Sequence, residues 1–208
     1  LTVFWQVATD QGFARVVASG QTAASAGSDY TVKVDATGLQ PDQRYFYRFN
    51  ARSVSSATGT TKTLPDGLAT KFTMGVASCS NFPQGFFNAY RHMAESDLDL
   101  VLHLGDYIYE YNAGNQGNIR KHHGGEIVSL SDYRVRHAQY KLDPALQKAH
   151  ARCPWFVTWD DHEVDNNCAD EISEQKNVKP VDFLIRRAAA YQAYYENMPL
   201  RRTSLPAG

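Results

Sequence analysis

Val101-Leu-His-Leu-Gly-Asp-Tyr-Ile-Tyr-Glu-Tyr111 is the stretch whose reading decides the fold. From Leu98 to Leu104 the chain is almost continuously apolar, the pattern of a strand buried on both faces, and Gly105 ends it. Asp106 follows at once, at the carboxyl end of that strand. Open α/β sheets bind their ligands outside those ends. Tyr109, one short turn later, can bring its phenol oxygen back to the same point. Working outward, a second apolar strand, Cys153-Pro-Trp-Phe-Val-Thr-Trp159, runs into Asp160-Asp161-His162-Glu163. An earlier one, Phe72-Thr-Met-Gly-Val-Ala-Ser78, runs into Cys79. Three strands thus finish in thiol, carboxylate, phenol and imidazole, which are ligand types for a metal site.

These strands alternate with helical patterns, which implies parallel pairing. Phe86 to Ser96 carries apolar residues at helical spacing, and Asp132 to His150 repeats it. Ser131 or Asp132 is the expected cap there, and Pro144 bends that helix or starts another. Phe183 to Met198 is strongly helical and stops at Pro199. Asn112 to Ser129 is rich in Gly, Asn and His without periodicity, so it reads as a long loop near the site.

Residues 1–66 read differently. Val3, Trp5 and Val7, then Tyr30, Val32 and Val34, then Tyr45, Tyr47 and Phe49 alternate between polar clusters, as in a small β-sandwich. Leu39-Gln-Pro41-Asp-Gln-Arg-Tyr45 has the form of a tyrosine corner, in which the phenol closes back on the turn. The expected organisation is therefore a β-sandwich over 1–66, a linker, and an α/β unit over 70–208.

With 21 basic and 22 acidic residues the formal charge is −1, so no global basic field draws a nucleic-acid scaffold or an anionic membrane. No run is long enough for a transmembrane segment. The chain opens at Leu1 inside a strand pattern, so further residues are expected upstream, and the missing leader is silent on compartment. Three cysteines are too few for a disulfide scaffold. With Cys79 assigned to metal, Cys153 and Cys168 are either a bridge across the second motif or two thiols.

Asp106 is the strongest candidate ligand, set against the ordinary alternative of a turn or capping aspartate. Phenolate is an unusual ligand that suits a hard, highly charged ion such as ferric iron, which marks Tyr109. Cys79 is a thiolate candidate against the alternative of a small buried hydrophobe. The acids at 160–163 cannot all be buried without a cation. Asp161 is preferred as a ligand, with Asp160 its competitor. His162 is the candidate catalytic group, donating to a phosphoryl or leaving oxygen, or else orienting a carboxylate. Glu163 and Asn166 suit a supporting or capping role, and His103 a core histidine. His122 and His123 read as solvated. Arg91, Arg120, Arg134 and Arg136 are candidates for phosphate, none preferred.

Val76-Ala-Ser-Cys79-Ser, Leu98-Asp-Leu-Val-Leu-His-Leu-Gly-Asp106-Tyr-Ile-Tyr109-Glu-Tyr and Thr158-Trp-Asp-Asp161-His-Glu-Val-Asp-Asn-Asn167 resemble the PhoD-like phosphoesterases of the calcineurin-like superfamily. The resemblance covers the whole chain, since that family carries a fibronectin III-like module ahead of its catalytic domain. It implies a metallophosphoesterase that hydrolyses phosphomonoesters and phosphodiesters by metal-bound hydroxide. Nucleotide, phospholipid and teichoic-acid esters are its substrate classes, and it is exported to the periplasm or the outside. It further implies Fe3+ on Cys79, Asp106 and Tyr109, with Ca2+ sharing Asp106. Asp161 stands where the wider superfamily has asparagine, a hard oxygen suited to calcium. That superfamily completes its cluster from later strands, and no such block follows here. The chain is therefore expected to be an amino-terminal portion with an incomplete site. The alternative is a non-catalytic binding module in which the β unit contacts a partner or the cell wall. A nucleotide-binding α/β domain is excluded by the absence of both Gly-rich phosphate motifs.

Overall fold

The structure, a computed structural model, describes residues 1–114, 117 and 119–204. Within the Asn112–Ser129 stretch, residues 115, 116 and 118 lie outside the described residues, as does the end 205–208.

Strands β1 (Thr2–Ala8), β2 (Val16–Ala23), β3 (Arg44–Ala51), β4 (Val54–Ser55) and β5 (Gly59–Lys62) form one antiparallel sheet. β1 lies between β2 and β3, and β4 and β5 take successive parts of the other edge of β3. The expected sandwich of two facing sheets is not what the described strands form. Around Val32 and Val34 the alternation makes no strand, for one local and one distant reason. Asp29 and Tyr30 have φ of 49° and 55°, which breaks an extended ladder before it starts. Lys33 then commits the segment elsewhere, donating to the Met198 carbonyl at 2.7 Å and lying over the Tyr195 ring.

The tyrosine corner is present. The Gln40 backbone N–H donates to the Tyr45 hydroxyl at 2.9 Å, closing the Leu39-Gln-Pro41 turn onto a buried ring. Tyr45→Phe leaves that amide unpaired, and the expected loss is about 1 kcal/mol. A urea denaturation series reads it as a lower midpoint at constant slope.

The second unit pairs β6 (Met74–Ala77), β7 (Leu100–His103) and β8 (Trp155–Val157) in parallel, with β7 central. Its helices are α1 (Asn88–Glu95), α2 (Leu130–Lys141), α3 (Pro144–Arg152) and α4 (Pro180–Asn197). The cap of α2 is Ser129, earlier than expected. Asp132 sits three residues in and bonds back to the Ser129 amide, a capping box. Pro144 starts α3, where its missing N–H costs nothing, and Asp143 caps that helix at 2.9 and 3.1 Å. Val101 and Trp155 of the sheet meet Tyr133, Tyr140, Leu146, Phe183 and Tyr194 from the helices in one core. The opposite row, Val76 and Phe156 on either side of Leu102, is left exposed at its two ends. Lys62 to Asp99 at 2.7 Å and Arg44 to Asp97 at 3.0 Å join the two units. Among the described residues no helix is long and apolar enough to cross a membrane.

Candidate metal centre

The parallel ladder continues past the formal strand ends, and this is what assembles the site. Leu104 donates to Ala77 at 2.8 Å, Cys79 to Gly105 at 3.1 Å, Ser80 to Asp106 at 2.8 Å, and Thr158 to His103 at 3.0 Å. The chain ends bearing Cys79, Asp106 and the 159–163 turn therefore lie side by side. Cys79 and Asp106 both take left-handed backbone, φ 58° and 53°. Such conformations in non-glycine residues cost energy and gather at functional sites. Gly105, at φ 108°, has no room for a side chain: a Cβ there would stand 2.6 Å from the Asp160 amide nitrogen.

Asp106 is 6% exposed. Its Oδ2 accepts the Tyr109 hydroxyl at 3.2 Å, while its Oδ1 is buried with no partner among the described residues. Ligand atoms of Asp106, Asp161 and His162 all lie within 4.8 Å of one another. The Cys79 thiol is close enough to Asp106 and Tyr109 to shift the titration of both. Asp106, Asp161 and His162 are thus brought together with Tyr109 bonded to Asp106, and Asp161 rather than the exposed Asp160 joins the group; Cys79 is exposed and stands beside Asp106 outside that close set. Burial raises the Asp106 carboxyl above its usual range, against the pull of His162. Burial, then the negative Asp106 beside it, push the Tyr109 phenol far up. An orphaned carboxylate oxygen, a second acid and a phenol that only a strong cation could deprotonate make a donor set that fits a metal ion.

His162 is held from two sides. Glu110, 1% exposed, lies 2.8 Å from Nδ1, and the Tyr109 ring packs on the imidazole at 4.1 Å between centroids. Burial opposes the charged imidazole, but Glu110, Asp106 and Asp161 outweigh it, so its pKa is raised. Glu110 also accepts the Asn166 amide at 3.0 Å, and Asp161 accepts the Asn167 amide at 2.5 Å. Glu163 is buried, and burial pushes it up to about 7 even though three backbone amides hold it back.

Other readings need revision. His122 is buried rather than solvated, bonded to the Tyr111 carbonyl at 2.9 Å and the Tyr140 hydroxyl at 3.0 Å. His103 is a satisfied core histidine, 2.9 Å from the Tyr90 hydroxyl. Three of the candidate arginines are structural. Arg120 pairs with Asp143 at 2.6 Å and Arg134 with Glu196 at 2.7 Å. Arg136 is buried and donates to the Tyr109 and Tyr111 carbonyls, fixing the loop that carries the phenol. Cys153 and Cys168 are both free thiols. Glu110 was missed by the sequence reading. Its only signal was a carboxylate set within a dense run of tyrosines.

An α/β unit whose strand ends converge on a candidate metal centre defines the general class. Residues 74–208 match the PhoD-like phosphatase family and residues 1–65 match the family of its N-terminal domain, so the chain belongs to the PhoD-like phosphatases. It is 50% identical to alkaline phosphatase D of Bacillus subtilis (strain 168), covering 99% of this chain and 36% of that protein. A solved structure of PhoD superposes on it with a TM-score of 0.95 at 50% identity, covering 100% of this chain and 41% of that one. The purple acid phosphatase PPD1 from yellow lupin seeds superposes loosely, with a TM-score of 0.47 and 16% identity.

Proposed function

We propose that this chain belongs to a metal-dependent phosphoesterase that hydrolyses phosphomonoesters and phosphodiesters. Family membership and the identity to alkaline phosphatase D support phosphate-ester hydrolysis. The observation that carries the metal reading is the buried, unpartnered Oδ1 of Asp106, with Asp161 and His162 gathered around it. In this reading Cys79, Asp106 and Tyr109 hold Fe3+, and Asp106 with Asp161 holds Ca2+. When bound, such cations neutralise charge on a phosphate and acidify water.

The protein's own part is to fix that donor set and to manage a proton. Glu110 occupies Nδ1 of His162, which leaves Nε2 as the ring nitrogen for a substrate oxygen. Glu110, Asp106 and Asp161 favour the charged imidazole, the form in which Nε2 carries a proton to donate to a phosphoryl or leaving oxygen. Nucleotide, phospholipid and teichoic-acid esters are the proposed substrate classes, and the periplasm or the outside of the cell is the proposed location, to be read by fractionation.

The test uses the longer protein, since this chain spans 36% of its curated relative. Chelation should abolish hydrolysis of p-nitrophenyl phosphate and its bis-ester, and ferric plus calcium ions should restore it. A visible phenolate band should vanish in Tyr109→Phe. A colourless protein holding zinc alone would sink the ferric assignment. Absent hydrolysis, together with partner binding lost on deleting residues 1–66, would establish the binding module instead.

A further inference from the structure

We infer that Glu163 is the positioning residue of this centre, a carboxylate clamp that sets the spacing of the Asp106 and Asp161 segments without itself holding metal. Its Oε2 accepts the backbone amides of Asp106 at 3.0 Å and Asp160 at 2.8 Å, and its Oε1 accepts that of Tyr107 at 2.5 Å. Those amides come from two different strand ends, the one after β7 and the one after β8. Each segment has bonds of its own, Ser80 to the Asp106 carbonyl and Val164 to the Asp161 carbonyl, but these do not tie one segment to the other. Asp106 sits in left-handed backbone at φ 53°, a conformation that persists only when its surroundings over-determine it. The turn at Asp160 is met by Gly105, which yields room but no bond. Glu163 supplies what both lack, three acceptor contacts at one buried point, 1% exposed.

The two oxygens divide the work in a way that only a carboxylate allows. An amide in place of the acid puts an NH2 group against at least one of the three N–H donors. Donor would then face donor in a buried setting, and the two segments would separate. Ligands held by such outer contacts typically lose 10–100-fold in metal affinity when the contact is removed.

This rests on the metal reading above, and the test separates the two. Calcium is titrated into the metal-free longer protein and into its Glu163→Gln variant, with amide exchange followed in parallel. Arg134→Met, which breaks a pair on the far side of α2, is the control for simple destabilisation. Glu163→Gln should bind calcium at least tenfold more weakly, with faster exchange at the Asp106, Tyr107 and Asp160 amides and unchanged exchange along α4. Arg134→Met should keep the wild-type calcium affinity. Glu163→Asp keeps the charge but shortens the reach, and serves if the glutamine variant does not fold; the same amides should loosen. Calcium affinity within twofold of wild type in a folded Glu163 variant would overturn the clamp. Should the longer wild-type protein bind no calcium, the metal reading fails while the clamp is decided by exchange alone: three amides as protected in the variants as in wild type would overturn it.

Discussion

Asp106→Asn should lower phosphate-ester hydrolysis by the longer protein about a thousandfold, some 4 kcal/mol of transition-state stabilisation. In the same variant the metal-free chain should become more stable. The two signs have one source. Oδ1 of Asp106 is buried with no hydrogen-bond partner, while Oδ2 keeps the Tyr109 hydroxyl at 3.2 Å. Without a cation, that ionised oxygen is a desolvated charge beside Asp161 and the Cys79 thiol. Asparagine keeps the shape and removes the charge. The relief is expected at about 1 kcal/mol, since an unsatisfied buried polar group costs roughly 1–3 kcal/mol and some of that remains with the amide. For a domain near this size it appears as a melting rise of about 2–4 °C in chelator. Adding ferric and calcium ions should reverse the order, because wild type gains binding free energy that the variant lacks. A variant less stable than wild type in chelator would mean that Asp106 is a structural carboxylate, and the metal assignment would lose its main support.

That crossing of signs also marks how far the sequence could be read. Apolar runs ending in polar residues located all three strand ends, because these parallel strands carry apolar residues at successive positions and few polar ones confuse their length. The places of Cys79 and Asp106 just past strand ends could be read for the same reason, while Tyr109 was placed by the short turn after Asp106. The Tyr45 corner was legible because it is local, Gln40 and Tyr45 being five positions apart. What failed were readings that depend on distant partners. Tyr30, Val32 and Val34 alternate like a strand, yet their segment answers to α4 through Lys33. His122 looked solvated beside His123, but Tyr140 from α2 supplies its bond and buries it. Arg136 looked like a phosphate grip on a helix surface, and only the fold reveals the Tyr109 and Tyr111 carbonyls beneath it. Glu110 and Glu163 sit among residues already assigned to chemistry. Their targets are His162 in one case and two strand ends in the other, more than 50 residues away for Glu110 and for the Asp106 and Tyr107 amides.

Arg186 is the second residue whose loss should be severe, and it was invisible beside Arg187 in a helix read by its apolar spacing. It is 3% exposed on α4, and its guanidinium reaches Asp165 at 3.1 Å, Glu126 at 3.0 Å and the Tyr133 hydroxyl at 2.9 Å. Tyr133 in turn donates to the Val164 carbonyl at 2.5 Å, and Ser173 to Asp165 at 2.5 Å. The whole cluster lies behind the Asp160–Asn167 turn, whose Val164 and Asp165 amides close back on the Asp161 carbonyl at 2.8 and 2.9 Å. Arg186→Met strands the Asp165 carboxylate in a buried place with Ser173 as its remaining hydrogen-bond partner. Breaking a buried pair in this way typically costs about 3–5 kcal/mol. Removing both charges is a different matter, because the desolvation cost of the pair disappears with it. Arg186→Met with Asp165→Leu should recover most of the loss, with a coupling of about 2 kcal/mol in a denaturant double-mutant cycle. Additive losses in that cycle would show that Arg186 acts through Glu126 and Tyr133 and not through Asp165. Calcium binding discriminates further: if the cluster is what sets the Asp161 turn, the single variant should lose affinity along with stability, and the double variant, stable again but without the Ser173–Asp165–Arg186 chain, should regain the first less completely than the second.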